Sequence, residues 1–240
     1  MEKGVVPKIL AGQRKGGFWE KAEDFYIRTK YKGTVWQLII LAELGADGQD
    51  PRVKRACDFI LRVSQDRESG GFSYRGGPNG GGYHSGVIPC LTGNMVWSLI
   101  RLGLLGDPRV KRGINWLATY ARFDDGIKRA PEGWPYERWE NCWGKHTCHS
   151  AVAKTLKALA EIPEKKRSPE VKQTIEEYDF LFHPHLDKKA VMEPLDLFVI
   201  YNPKRSRKTR ASFSVFIILI GYAQQEIGNE TRPAEGKKHE

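Results

Sequence analysis

The chain has 240 residues, 40% of them hydrophobic, and a formal net charge of +10; it is long enough to bury a core without disulfides or a structural metal. Four unevenly spaced cysteines, with no charged n-region and apolar run at the start, predict a reducing, cytoplasmic setting and free thiols. The longest apolar run, FSVFIILIGYA from Phe213, is about half the ~20 residues of a spanning helix, so no transmembrane segment is expected.

Much of the positive excess lies in KRSRKTR (204–210) and in scattered Lys and Arg, which reads as a solvated basic face. No RNA-binding aromatic signature or finger spacing accompanies it, so nucleic acid is not the expected partner.

In chain order, PKILAGQRKGGF near the start reads as the tail of a helical unit. GTVWQLIILAELG (33–45) is echoed by NMVWSLIRLGLLG (94–106), with Trp36 matching Trp97. DPRVKRACDFIL from Asp50 returns as DPRVKRGINWLA from Asp107 and, more faintly, as SPEVKQTIEEYDFL from Ser168. In these second segments apolar residues fall three and four apart: Val53, Cys57, Ile60; Val110, Ile114, Leu117; Val171, Ile175, Tyr178. That is a helical stripe, and each begins with Asp-Pro or Ser-Pro, a capping residue and a first-turn proline. The first segments, 33–44, 94–105 and 149–162, are apolar all round, as helices covered on several sides are. The prediction is an all-α chain of three stacked hairpins over 33–182, with inner and outer helix layers. Beyond about residue 186 the repeat disappears. The expected organisation is a repeat domain over 1–186 and a divergent segment over 187–240, ending in a polar, disordered tail.

The junctions carry a further resemblance. LAGQRKGGFW (10–19) and LRVSQDRESGGFSY (61–74) share a helix end, a Gln, a polar spacer and Gly-Gly-Phe; LATYARFDDGIKR is a degenerate third copy with Ala121 in place of the Gln. This resembles the prenyltransferase and squalene-cyclase repeat family over about residues 5–185. The resemblance implies an α/α toroid, here an incomplete ring, around a cavity whose aromatic faces hold an isoprenoid chain or a cation derived from one. Trp36, Trp97, Trp134, Tyr136, Trp139 and Trp143 would supply that lining, or else plain core. It also directs attention to RFDD, where Asp124 and Asp125 stand at the place of the family's acid and Arg122 replaces its first Asp. An Arg there favours carboxylate anions, the reverse of a strong acid's need, and Asp-Asp-Gly is also ordinary turn chemistry. Glu140-Asn141-Cys142 approximates the D-x-C zinc motif of the protein prenyltransferases, with His183 or His185 as the distant His.

ENCWGKHTCHS (140–150) gathers Cys142, His146, Cys148 and His149 within eight positions. Cys57 matches Ile114 and Ile175 and is expected to be core. Cys90 is expected just before an inner helix beginning near Asn94, while Cys148 and His149 open the next. If neighbouring hairpins set their inner-helix starts side by side, Cys90, Cys142, Cys148 or His149, and then His146, converge on a zinc site. The alternative is a rim of unligated thiols. The site is also similar to the Cys, Cys-His zinc site of the lanthionine-forming cyclases. The glycine-rich stretch SGGFSYRGGPNGGGYHSG lacks a phosphate-loop ending and reads as a long connection or a lid, with Arg75 solvated or facing a diphosphate.

Two functions follow as expectations: a zinc-dependent toroid enzyme acting on a polyisoprenoid or thiol substrate, or a non-catalytic arc that binds a peptide or lipid; a weaker third is binding of nucleic acid or a membrane surface through Lys204 to Arg210. In each case the open end of the arc calls for a partner or the chain's own tail.

Overall fold

The computed structural model describes residues 4–122, 129–138, 142, 143 and 147–182, all within the compact unit formed by residues 1–184. The segment 187–240 lies outside the described residues.

Among the described residues the chain is all-α, with helices α1 (Val5–Ala11), α2 (Thr34–Glu43), α3 (Pro51–Val63), α4 (Pro89–Arg101), α5 (Pro108–Tyr120), α6 (His149–Ala160) and α7 (Pro169–Phe182). Strand pairing there is confined to isolated bridges in the connections. None of these helices is long and apolar enough to cross a membrane.

The Asp-Pro starts act as expected. The Asp50 carboxylate accepts from the Arg52 N–H at 2.7 Å and the Asp107 carboxylate from the Arg109 N–H at 2.8 Å, capping α3 and α5 while the proline occupies the first turn, where its missing N–H costs nothing. Helix α4 departs from expectation. It begins at Pro89, not near Asn94, because Ile88 is extended and Pro89 already has helical φ. Cys90 is therefore in the first turn of α4 rather than ahead of it.

Each pair α2–α3, α4–α5 and α6–α7 packs as a hairpin, and α4 lies between α2 and α6 in a layer of first helices. The apolar-all-round segments bury Val35, Leu38 and Leu41 of α2 and Leu91, Met95 and Leu99 of α4. From the second helices come Val53, Cys57 and Ile60, then Val110, Ile114 and Leu117. Cys57 is fully buried, and burial pushes its thiol up to about 12, so it is the inert core residue the repeat predicts.

The repeated Gln clamps one hairpin to the next. Gln13 donates through Nε2 to the Arg52 carbonyl at 2.8 Å, and Gln65 donates to the Arg109 carbonyl at 2.7 Å and to the Gly70 carbonyl at 2.8 Å. In both cases the amide reaches the first turn of the following second helix. Downstream, the Trp19 N–H donates to Thr34 Oγ1 at 3.1 Å and the Phe72 N–H to Thr92 Oγ1 at 2.9 Å. Gly17 (φ +85°) and Gly70 (φ +84°) press against Arg55 and Arg112. These contacts pair Gly17 with Gly70 and Trp19 with Phe72, one position away from the register that aligned Gly-Gly-Phe suggests. The shift has a packing reason. Phe18 then matches Gly71, and Phe59 matches Trp116: the Phe18 and Phe59 rings meet in a tilted pair at 5.3 Å, whereas a Cβ on Gly71 would come within 2.9 Å of the Trp116 indole. One junction uses two medium rings and the other a large ring over a glycine, so each fills its space.

At the third junction Ala121 offers no amide, but the backbone part persists. The Arg122 N–H donates to Thr147 Oγ1 at 2.8 Å, and the Thr147 N–H returns a bond to the Arg122 carbonyl at 3.0 Å.

Candidate functional site

The bonds between Arg122 and Thr147 fix Thr147 beside the end of α5. A Trp143–Thr147 bridge and a 3.0 Å bond from the Cys148 N–H to the Cys142 carbonyl set Cys142 and Trp143 against Thr147 and Cys148. Cys148 is thereby the N-cap residue of α6, with the Ala151 N–H bonding its carbonyl at 2.8 Å. Helix α4 packs closely along α6 and brings Cys90, in its own first turn, to the same end.

The three thiols interact. Cys142 donates a hydrogen bond to Cys148, and that bond, opposed by burial and aided by the Ala151 and Ser150 N–H groups and the Lys154 ammonium, lowers Cys148 to about 6. The same bond, with burial and the charges of Cys148 and Cys90, raises Cys142. The interaction thus favours the thiolate at Cys148, at the positive end of α6, and the thiol at Cys142. Cys90 is raised by burial and lies close enough to feel Cys148 and Lys154. Tyr26 hydrogen-bonds to Cys90, and its own titration is pushed upward, first by burial and then by that thiol.

Cys90, Cys142 and Cys148 thus lie within electrostatic reach of one another, but among the described residues no group of three or more His, Cys, Asp or Glu side chains could hold a metal ion. His149 is the first residue of α6. His146, Asp124, Asp125 and Trp139 lie outside the described residues, as do Glu140, His183 and His185.

The aromatic residues divide. Trp134, Tyr136 and Trp143 form one cluster with Trp116 and Tyr120, mostly edge to face: Tyr136–Trp143 centroids are 5.2 Å apart, Tyr120–Trp134 5.3 Å and Trp116–Trp143 5.9 Å. Trp143 is almost fully buried. Trp134 and Tyr136 are half-buried and pack against the buried Trp116 and Trp143. The Arg122 guanidinium lies 5.9 Å from the Tyr136 ring centre. Trp97 is elsewhere, in α4, with Lys157 of α6 over its face.

One pair was not foreseen. His84 Nδ1 meets Asp66 Oδ2 at 2.8 Å, and the His84 ring stacks on Trp134 at 4.3 Å. Against an ionised carboxylate, Nδ1 is the protonated nitrogen. Asp66 is nearly buried, and it also accepts from the Ser69 N–H at 3.0 Å and the Ser69 hydroxyl at 2.6 Å. Burial would raise this carboxyl, but those bonds and His84 outweigh it and hold it below its ordinary value. The 18-residue separation across a glycine-rich connection gives no periodic signal. Only Asp66 directly after the clamping Gln65 marks the place in the sequence.

Compared with protein-family models, curated proteins and solved structures, the chain matches none.

Proposed function

We propose that this chain is a zinc-dependent enzyme of the α/α-toroid kind, an incomplete ring similar to the prenyltransferases and terpenoid cyclases, acting on a thiol or polyisoprenoid substrate. The observation that carries the reading is the meeting of Cys90, Cys142 and Cys148, from two helix starts and a loop, within electrostatic reach of one another. Thiolates are ligands that a catalytic zinc takes, with a position left open for substrate; among the described residues the three thiols do not by themselves form a metal-holding group, so zinc would draw them together on binding. Zinc, when bound, supplies a thiolate or hydroxide nucleophile at neutral pH.

The chain's own residues prepare that site. Lys154 and the α6 N–H groups favour negative sulfur at Cys148, Tyr26 holds Cys90, and the rings beside Trp143 keep water from one side. The clamping Gln, which carries the family resemblance, makes the same bond to the following helix at two junctions, and this supports the toroid reading.

The test is metal analysis of the purified full chain, repeated on Cys142→Ala and Cys90→Ala. Stoichiometric zinc in the wild type, lost in both variants, is the expected result; a metal-free wild type after purification without chelator overturns it. A second reading, a non-catalytic arc that binds a peptide or lipid, is favoured by the mutual packing of Trp116, Trp134, Tyr136 and Trp143. Zinc held by four protein ligands, with no open position, would decide for it.

A further inference from the structure

The second junction bears a feature the repeat does not require. Between α3 and α5 lies a groove of about 340 Å³, lined by Arg62, Arg67, Arg109 and Arg112 together with Asp58 and Gln65. At the first junction the equivalent positions hold Leu10, Lys15, Arg52 and Arg55, so a clamp of the same design works without an arginine at the first place and with a lysine at the second. The scaffold therefore does not explain all four guanidinium groups.

Their pairing is uneven. Arg109 takes both carboxylates, Asp107 at 2.6 Å and Asp58 at 3.0 Å. Among the described residues Arg112 donates to the Arg67 carbonyl, at 2.8 Å, and Arg62 lies 5.7 Å from the Phe59 ring centre. Arg67 lies across Gly80 and Gly81, where a Cβ would meet its side chain at 2.9 and 3.1 Å. Among the described residues Arg62, Arg67 and Arg112 make no ion pair, and the one carboxylate that lines the groove, Asp58, is taken by Arg109, so the four planar, fixed-charge forks leave the groove with an excess of positive charge. Guanidinium forks match phosphoryl oxygens in shape and charge better than any other side chain does. The Gln65 amide, fixed by its two donated bonds, forms the buried floor.

We propose that this groove is a phosphoryl-binding site, taking a diphosphate or phosphomonoester group, on the layer of second helices and separate from the thiols at the starts of α4 and α6. The chemistry is shared by a free phosphorylated metabolite and by a phosphomonoester lipid headgroup. Two probes separate them: inorganic diphosphate titrated calorimetrically into the full chain, and phosphatidylcholine vesicles with and without phosphatidic acid in a co-sedimentation assay.

Saturable diphosphate binding, or sedimentation dependent on phosphatidic acid, is expected to weaken by about tenfold or more in Arg67→Ala/Arg112→Ala, the loss of hydrogen bonds to a charged group. It should also weaken steeply with added salt. Because Arg112 also ties down the Arg67 backbone, Arg62→Gln serves as the second variant; it removes a charge from the exposed face of α3 and should weaken binding while leaving the thermal unfolding midpoint unchanged. Failure of both probes with the wild type, or binding unaltered in both variants, overturns the site.

Discussion

Lys157 holds its ammonium 3.6 Å from the centre of the Trp97 ring and hydrogen-bonds Glu43, so one α6 side chain ties α4 and α2 together. The face of Trp97 that could have met a substrate cation meets the protein's own. Both partners of the ion pair are about three-quarters buried, with side-chain exposures of 23% and 24%. Lys157→Met should cost about 1–3 kcal/mol in denaturant unfolding, since it removes a desolvated cation–π contact and strands a carboxylate. Adding Glu43→Gln should recover part of the loss. A double variant as unstable as the sum of the two singles would show that the residues are not coupled.

The two clamping glutamines are not equal. Gln65 is buried with two donated bonds, whereas Gln13 makes one from a half-buried position. Gln65→Ala is expected to cost about 2–3 kcal/mol and Gln13→Ala about 1 kcal/mol, by the net worth of a hydrogen bond plus the orphaned carbonyls. Chemical denaturation with unchanged m-values would read the difference.

Glycine substitutions separate conformation from space. At Gly45 (φ +64°) a Cβ meets nothing, so Gly45→Ala should cost only the left-handed backbone penalty, about 1 kcal/mol. At Gly70 (φ +84°) a Cβ would lie 2.7 Å from the Arg112 Cβ and 3.0 Å from its backbone, so Gly70→Ala adds overpacking and should cost about 2–4 kcal/mol. Equal losses at the two sites would refute the close helix approach.

Asp66 gives the chain a specific acid sensitivity. Its folded-state value is lowered, so its contribution is fully present above the unfolded carboxyl value of about 4 and is lost as the pH falls through the lower folded value. Between pH 5 and pH 2 the wild type should lose stability more steeply than Asp66→Asn, whose curve lacks this component. Parallel curves would remove Asp66 from the account.

Thiol reactivity checks the Cys142–Cys148 pair. In chelator-treated protein Cys148, lowered to about 6, should alkylate faster at pH 7 than Cys57, which is pushed up to about 12. Cys142→Ala removes the donated bond and should move the midpoint of the Cys148 rate profile upward. An unmoved midpoint means that α6 and Lys154 alone set the thiolate.

The local periodicities were legible in the sequence. The apolar stripes, the Asp-Pro starts and the echo of 33–45 in 94–106 are set within a few turns of chain, and they are enough for the all-α hairpins and for Cys57 as core. What depends on how hairpins press together was not legible. The register of Gly17 with Gly70 follows from whether Phe59 or Trp116 must be accommodated, and Gly-Gly-Phe misleads because matching letters say nothing of the ring on the facing helix. The place of Cys90 inside α4 depends on Pro89 being recruited as a helix start. His84 on Asp66, Lys157 on Trp97 and the four guanidinium groups between α3 and α5 each join segments distant in sequence. Burial and charge act across space, and only packing decides which distant groups share a low-dielectric neighbourhood.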